Sequence, residues 1–184
     1  MTSDVRPHKE DTVSSEAARE ILVQGARSLA HADSLRPSLD ILLGVIAAQL
    51  DVESAVIVVV DEPEQLRIIA SVGLADPVVA GLSDALRNPA HPIARTVGDP
   101  VPSFDVLPTN PGGPALRSHL PLTVTRDGSD TVLGVLALAH HRPLDAGSRQ
   151  LLEATADLAA VAVERDRGTD GGSDGQLDHR RLPG

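Results

Sequence analysis

The chain has no cysteine. That removes disulfides, thiolate metal sites, thiol nucleophiles and any thioether-linked chromophore, and it is compatible with a reducing compartment. Aromatic residues are almost as scarce, with Phe104 standing alone and no Trp or Tyr. Flat heterocycles such as purines, flavins and haem are commonly gripped by aromatic faces, so no cofactor of that kind is expected. Lysine occurs once, at Lys9, and the net charge is −10. Such a chain is repelled by nucleic acid and by anionic membrane surfaces, and only Arg180-Arg181 resembles a basic cluster. Long apolar runs are missing too: the best candidate, Ile41 to Leu50, is amphipathic and interrupted by Gln49, well short of the roughly 20 apolar residues of a membrane span. The N-terminus, opening Thr2-Ser3-Asp4, shows no apolar signal core. A soluble cytoplasmic protein with no nucleic-acid or membrane partner is expected.

What is present is a globular composition, 41% hydrophobic and 23% charged over 184 residues, enough for one domain with tails. The most informative stretch runs from Leu116 to Ala139. Leu120, Leu122 and Val124 alternate with Pro121, Thr123 and Thr125, the period-2 pattern of a strand with one buried face, whereas Val132 to Ala139 is apolar on both faces. Between them, Asp127-Gly128 is a hairpin turn signal. A strand apolar on both faces needs cover on both, so the sheet must be sandwiched.

Residues 1–13 are polar and aperiodic and read as a disordered arm, the domain as 14–167, and the Gly-rich 168–184 as a flexible tail. A first helix starts at Ser14 or Ser15, with Ile21, Leu22, Ala26, Leu29 and Ala30 at helical spacing. Ser34 is the expected N-cap of a second, with Pro37 in its first turn and Leu35, Leu39, Leu42, Leu43, Ile46 and Leu50 as its stripe. Ala55 to Val60 and Leu66 to Val72 read as antiparallel strands joined at Asp61 to Glu64. Asp76-Pro77 opens a helix through Val78, Val79, Leu82 and Leu86, and a short turn or helix follows with Ile93, Ala94 and Val97. Prolines 100, 102, 108, 111 and 114 with Gly112-Gly113 then forbid long regular structure. Some forty residues of this texture between two strand pairs is where a binding site is expected. Asp145 caps a last helix from Ala146 to about Arg167 whose apolar residues spread over more than one stripe.

Leu116-Arg117-Ser118 with Pro121-Leu122, Val132 to Leu138, Leu144-Asp145 followed by Leu151-Leu152, and His91 to Val101 upstream occur in an order and spacing that resembles the GAF domain family from about Ser15 to Arg167. One departure is that Ser118-His119-Leu120 runs straight into Pro121-Leu122, where many members place two more residues. The resemblance implies an α+β (α/β sandwich) fold: a GAF/PAS-like antiparallel sheet of five to six strands in the order 2-1-5-4-3, helices on one face and a variable, pocket-forming segment on the other. It also implies a sensory or regulatory module, free-standing here, that binds an unidentified small molecule and signals to an output protein in trans. The alternative is a ligand-free dimerisation or interaction module. Specialised members are excluded by residues: reductases and bilin binders of this fold need cysteines, the cyclic-nucleotide pattern needs Lys and Phe where this chain has none, and Thr109 to Gly113 lacks the haem-ligating histidine.

The candidate ligand-binding residues are Val78, Val79, Leu82, Ile93, Val97 and Phe104 for an apolar lining, with Arg117, Ser118 and His119 as polar groups. The Arg117 guanidinium can clamp a carboxylate or phosphate bidentately; the competing reading is a surface ion pair. The same apolar residues can instead fill the cavity. His140-His141 with Asp145 could suggest a metal, but adjacent strand residues point to opposite faces, so no metal site is expected and the pair reads as solvated. No glycine-rich phosphate loop, nucleophile elbow or spaced triad is present, and no catalytic residue is assigned. A homodimer through the alanine-rich terminal helices is expected, with Ala159 or Leu158 as the positions where a charge would separate it.

Overall fold

The structure, a computed structural model, describes residues 34–61, 65–108 and 115–170, together with Val23, Gly25 and Arg27. Its centre is the expected hairpin. β1 (Val52–Asp61) and β2 (Gln65–Val72) form a first antiparallel pair, β3 (Ser103–Val106) is a short edge strand, and β4 (Leu116–Arg126) and β5 (Ser129–His140) form the second pair. Arg126 lies opposite Ser129, leaving Asp127-Gly128 as a two-residue turn with φ of 51° and 78°. Positive φ at both positions matches the twist of the flanking strands, which is why an Asp-Gly pair sits there.

The strand order is β2-β1-β5-β4-β3, all antiparallel, so the sheet is the one the family resemblance implied. β4 runs in unbroken register from Leu116 opposite His140 to Leu122 opposite Gly134; the irregularity falls later, between Leu122 and Thr123. The shorter spacing before Pro121-Leu122 is thus accommodated without a break.

β5 is covered on both faces. Leu136 and Leu138 join Ile57, Leu120 and Leu122 in a core closed by α1 (Leu35–Leu50) and α4 (Ala146–Asp170). Leu39, Leu42, Leu43 and Ile46 of α1 are fully buried there, each contributing about 2 kcal/mol of transfer free energy. On the opposite face Val56, Val58, Val135 and Ala137 meet Leu86 and Ile93, with Leu82 and Val97 alongside; these four belong to or adjoin α2 (Asp76–Ala85) and α3 (Pro92–Gly98). The centre of the sheet tolerates no side chain at Gly134, whose Cβ would lie 2.1 Å from the Val58 carbonyl oxygen.

Asp145 caps α4 as expected, its Oδ1 accepting from the Ser148 N–H at 2.6 Å. That backbone bond, with the Ser148 hydroxyl next, holds the Asp145 carboxyl below its usual range. Ser34 occupies the N-cap of α1 but makes no side-chain cap; instead its carbonyl accepts from Ser38 Oγ at 3.2 Å. Val23, Gly25 and Arg27 are helical, and the rest of the expected first helix, the N-terminal arm and the tail beyond Asp170 lie outside the described residues. Among the described residues no helix is long and apolar enough to cross a membrane.

Candidate functional site

A cavity of about 650 Å³ opens between the sheet and the segment carrying α2, α3 and the chain after β3. Strand register builds its floor from two cross-strand rows. Arg117, Ala139 and Ser54 lie side by side on β4, β5 and β1, with Val106 of β3 beyond Arg117; one step along the same face come His119, Ala137 and Val56, with Ser103 beyond His119. Val78 and Leu82 from α2, Leu74 before it, His91, Pro92 and Ile93 at the start of α3, and Leu107 and Pro108 complete the enclosure.

The hollow has a local cause. β5 alternates Leu136 and Leu138 on the helix-covered face with Ala137 and Ala139 on the other. Leucines fill the first layer, while alanines at the middle of the floor leave space that their neighbours do not reach. Farther along the strand Val135 and Val58 are fully buried under α2 and α3, and the space closes.

The polar groups are few. His91 Nδ1 accepts from the Ile93 N–H at 3.3 Å, so the neutral ring carries its proton on Nε2. His119 Nδ1 shares a 3.3 Å hydrogen bond with Ser103 Oγ. Burial, followed by the charges of His91 and Arg117, pushes the His119 imidazole down to about 4, and burial also lowers His91. The Arg117 side chain is half-buried and makes no hydrogen bond or ion pair among the described residues. Among the described residues no Asp or Glu lines the cavity.

Of the residues expected at the site, Val78, Leu82, Ile93, Arg117 and His119 line the cavity. Val79 lies one residue round α2 from Val78 and is half-buried off the lining, and Val97 packs in the closed core beyond it. Ser118 and Phe104 are on the wrong face. Ser118 alternates with Arg117 and His119, so it points to the helix side and is 0% exposed. Phe104 alternates with Ser103 in the same way and packs against the helix-side core, with the Arg149 guanidinium 5.3 Å from its ring centroid. Sequence reasoning missed Ser54, Ala137 and Ala139 and named His91 only as the start of the stretch to Val101, with no place at the site. The Leu/Ala alternation of β5 was the signal that could have found the alanines.

The second correction concerns His140, expected to be solvated and found 1% exposed. Its Nδ1–H donates to the Arg142 carbonyl at 2.8 Å, so Nε2 accepts the Ser118 hydroxyl at 2.9 Å; Ser118 Oγ in turn accepts from the Asp105 N–H at 3.2 Å. Asp105 takes a left-handed backbone, φ 57°, and its carboxylate accepts from the Leu144 N–H at 2.9 Å and pairs with Arg149. A buried hydroxyl on an imidazole looks like an activated nucleophile, yet the carboxylate lies 3.8 Å from the same Nε2 and not on Nδ1. The arrangement is a sealed polar tie between β3, β4, β5 and the start of α4. His141 points outward, 3.5 Å from Glu53, and among the described residues no group of His, Asp and Glu could hold a metal ion.

The GAF domain family profile matches residues 35–165. Solved structures share the fold at low identity. The GAF domain from the Acinetobacter phosphoenolpyruvate-protein phosphotransferase superposes with a TM-score of 0.64 at 17% identity, over 87% of this chain and 97% of that one. The free methionine-R-sulfoxide reductase from Neisseria meningitidis gives 0.63 at 14%, over 84% and 92%. The second GAF domain of DevS from Mycobacterium smegmatis gives 0.55 at 21%, over 75% and 99%. No curated protein sequence matches the chain. At these identities the likeness speaks for the fold alone, and activities found on it elsewhere do not transfer.

Proposed function

Because this chain belongs to the GAF domain family, we propose that it is a sensory and regulatory module that takes a small molecule into the cavity over β1, β5 and β4 and reports occupancy to a partner protein in trans. The observation that carries this reading is the cavity itself: about 650 Å³ of space, walled mainly by Val, Leu, Ile, Ala and Pro, with Ser54, His91, Arg117 and His119 converging on it. Pockets that orient small ligands combine those two features, an apolar wall and a few placed polar groups. Native mass spectrometry of protein purified from its own host, followed by a metabolite screen read by melting temperature, tests it. A bare mass in every preparation and no compound that raises the melting temperature would sink it.

The same reading makes the protein cytoplasmic and non-enzymatic. Among the described residues two Ser–His pairs resemble a nucleophile with its base: Ser118 and His140 are sealed beneath the sheet, and Ser103 with His119 at the cavity floor has no lining carboxylate to orient the imidazole. It also includes a homodimer through the helical layer, where Ile41 of α1 and Val161 of α4 remain 52% and 63% exposed.

A further inference from the structure

We infer that the cavity selects a small aliphatic monocarboxylate, the Arg117 guanidinium receiving the carboxylate and the alanine floor and α2 roof receiving the hydrocarbon. This rests on the ligand-binding reading above and specifies its chemistry. The chain holds 26 acidic residues, yet none of the seventeen described residues that line the cavity is one. In so acidic a protein, an acid-free cavity around an unpaired arginine is a site arranged for an anion from outside. A half-buried guanidinium in apolar surroundings lacks the water that would otherwise satisfy it, and a carboxylate restores two charge-assisted hydrogen bonds in one planar contact.

Three features narrow the anion. The charge available is single, because His119 and His91 are held towards their neutral forms by burial. A phosphate dianion would face one cation and leave further oxygens against valine and leucine, at a desolvation cost. The space lies above Ala139, whose methyl separates Arg117 from Ser54 by two strand spacings, about 10 Å; the Ser54 hydroxyl, the His91 Nε2–H and, with Ser103 donating to Nδ1, the His119 Nε2–H are further donors on the lining. Beyond them Ala137, Val78 and Leu82 offer aliphatic contact, and no aromatic side chain among the described residues lines the cavity to stack a ring. The hydrocarbon is therefore aliphatic.

The test titrates the full chain with 3-methylbutanoate, its neutral isostere 3-methylbutanamide and inorganic phosphate, read by amide chemical shifts and by melting temperature. The carboxylate is expected to bind about tenfold or more tighter than the amide, the worth of one charge-assisted contact, and phosphate more weakly than either. Arg117→Met should erase the preference without lowering the ligand-free melting temperature, since the Arg117 side chain makes no bond to lose; Arg117→Lys should keep part of it. If Arg117→Met fails to fold, Arg117→Gln is read in its place. Equal binding of carboxylate and amide, a preference that survives Arg117→Met, or phosphate binding as tightly as the carboxylate overturns the inference. Should other compounds from the metabolite screen bind while these do not, the inference alone falls; when nothing binds, it falls together with the ligand-binding reading.

Discussion

His119 sits in the cavity floor with its ring buried beside two basic groups, and the consequence is a stability that depends on pH. The imidazole titrates near 6.5 in the unfolded chain and at about 4 in the folded one. Above 6.5 it is neutral in both states and contributes no difference. As the pH falls from 6.5 towards 4 the unfolded chain takes up the proton first, so stability declines across that window and this group adds no further loss below it. The gap corresponds to about 3 kcal/mol at the acid end. Unfolding midpoints in urea should therefore drop between pH 7 and 4, and His119→Asn should flatten that slope; an unchanged slope would mean that the ring is not buried as described. Asp105 supports a second prediction at this scale. Its carboxylate satisfies the Leu144 amide and Arg149, so Asp105→Ala should cost on the order of 2–3 kcal/mol in equilibrium unfolding, with Asp105→Asn costing less because Asn tolerates the left-handed backbone and keeps an acceptor. These residues also mark where sequence reading stopped. Arg117, Ser118 and His119 are consecutive in a strand and cannot share a face, so a set that names all three must be wrong in at least one. The burial of His140 depends on Ser118 and Asp105 arriving from elsewhere in the chain, and no local pattern encodes that.

At the scale of elements, the sequence was legible wherever period and punctuation agreed. The two-sided run from Val132 to Ala139, the Asp127-Gly128 turn, the stripe of α1 and the Asp145 cap all follow from local chemistry, and the structure contains each of them. β3 was not legible from its own residues, because four residues among prolines carry no period; the bulge between Ser103 and Val106, with Asp105 left-handed inside it, is imposed by pairing with β4. β5 carries two predictions. Any side chain at Gly134 collides with the β1 backbone, so Gly134→Ala should destabilise by roughly 3 kcal/mol or more, seen as a lower denaturation midpoint; a neutral outcome would contradict the tight β1–β5 approach. Ala139→Leu should do something different. It projects an isobutyl group between Arg117 and Ser54, so the fold should persist while ligand-induced stabilisation disappears. If Ala139→Leu still gained as much melting temperature from ligand as wild type, the ligand would lie elsewhere.

At the scale of the whole molecule, the cavity and the helical layer lie on opposite faces of one sheet, and β3 touches both. Ser103 bonds His119 on the cavity side, while Asp105 two residues on grips the Leu144 amide and Arg149 at the start of α4. A ligand that shifts β3 would therefore pull on the helix that the proposed dimer uses, and that is the simplest physical route from occupancy to output. The alanine surface of α4 that suggested a partner helix is mostly consumed within the chain: Ala156, Ala159, Ala160 and Ala162 are buried, Ala159 completely. What remains outward is a narrower stripe at helical spacing, Ala154, Leu158, Val161 and Arg165, with Val161 the most exposed apolar member. Ala159 is thus a poor place to test association, because a carboxylate there would be buried without a partner and Ala159→Glu should unfold the domain. Val161→Glu places the same charge in solvent on the monomer and against a second copy in the dimer. It should yield monomers by analytical ultracentrifugation with an unchanged circular dichroism spectrum, from a wild type that sediments as a dimer at micromolar concentration. A monomeric wild type, or a dimer indifferent to Val161→Glu, would remove this stripe as the interface and leave the β3–α4 connection to act on a different protein.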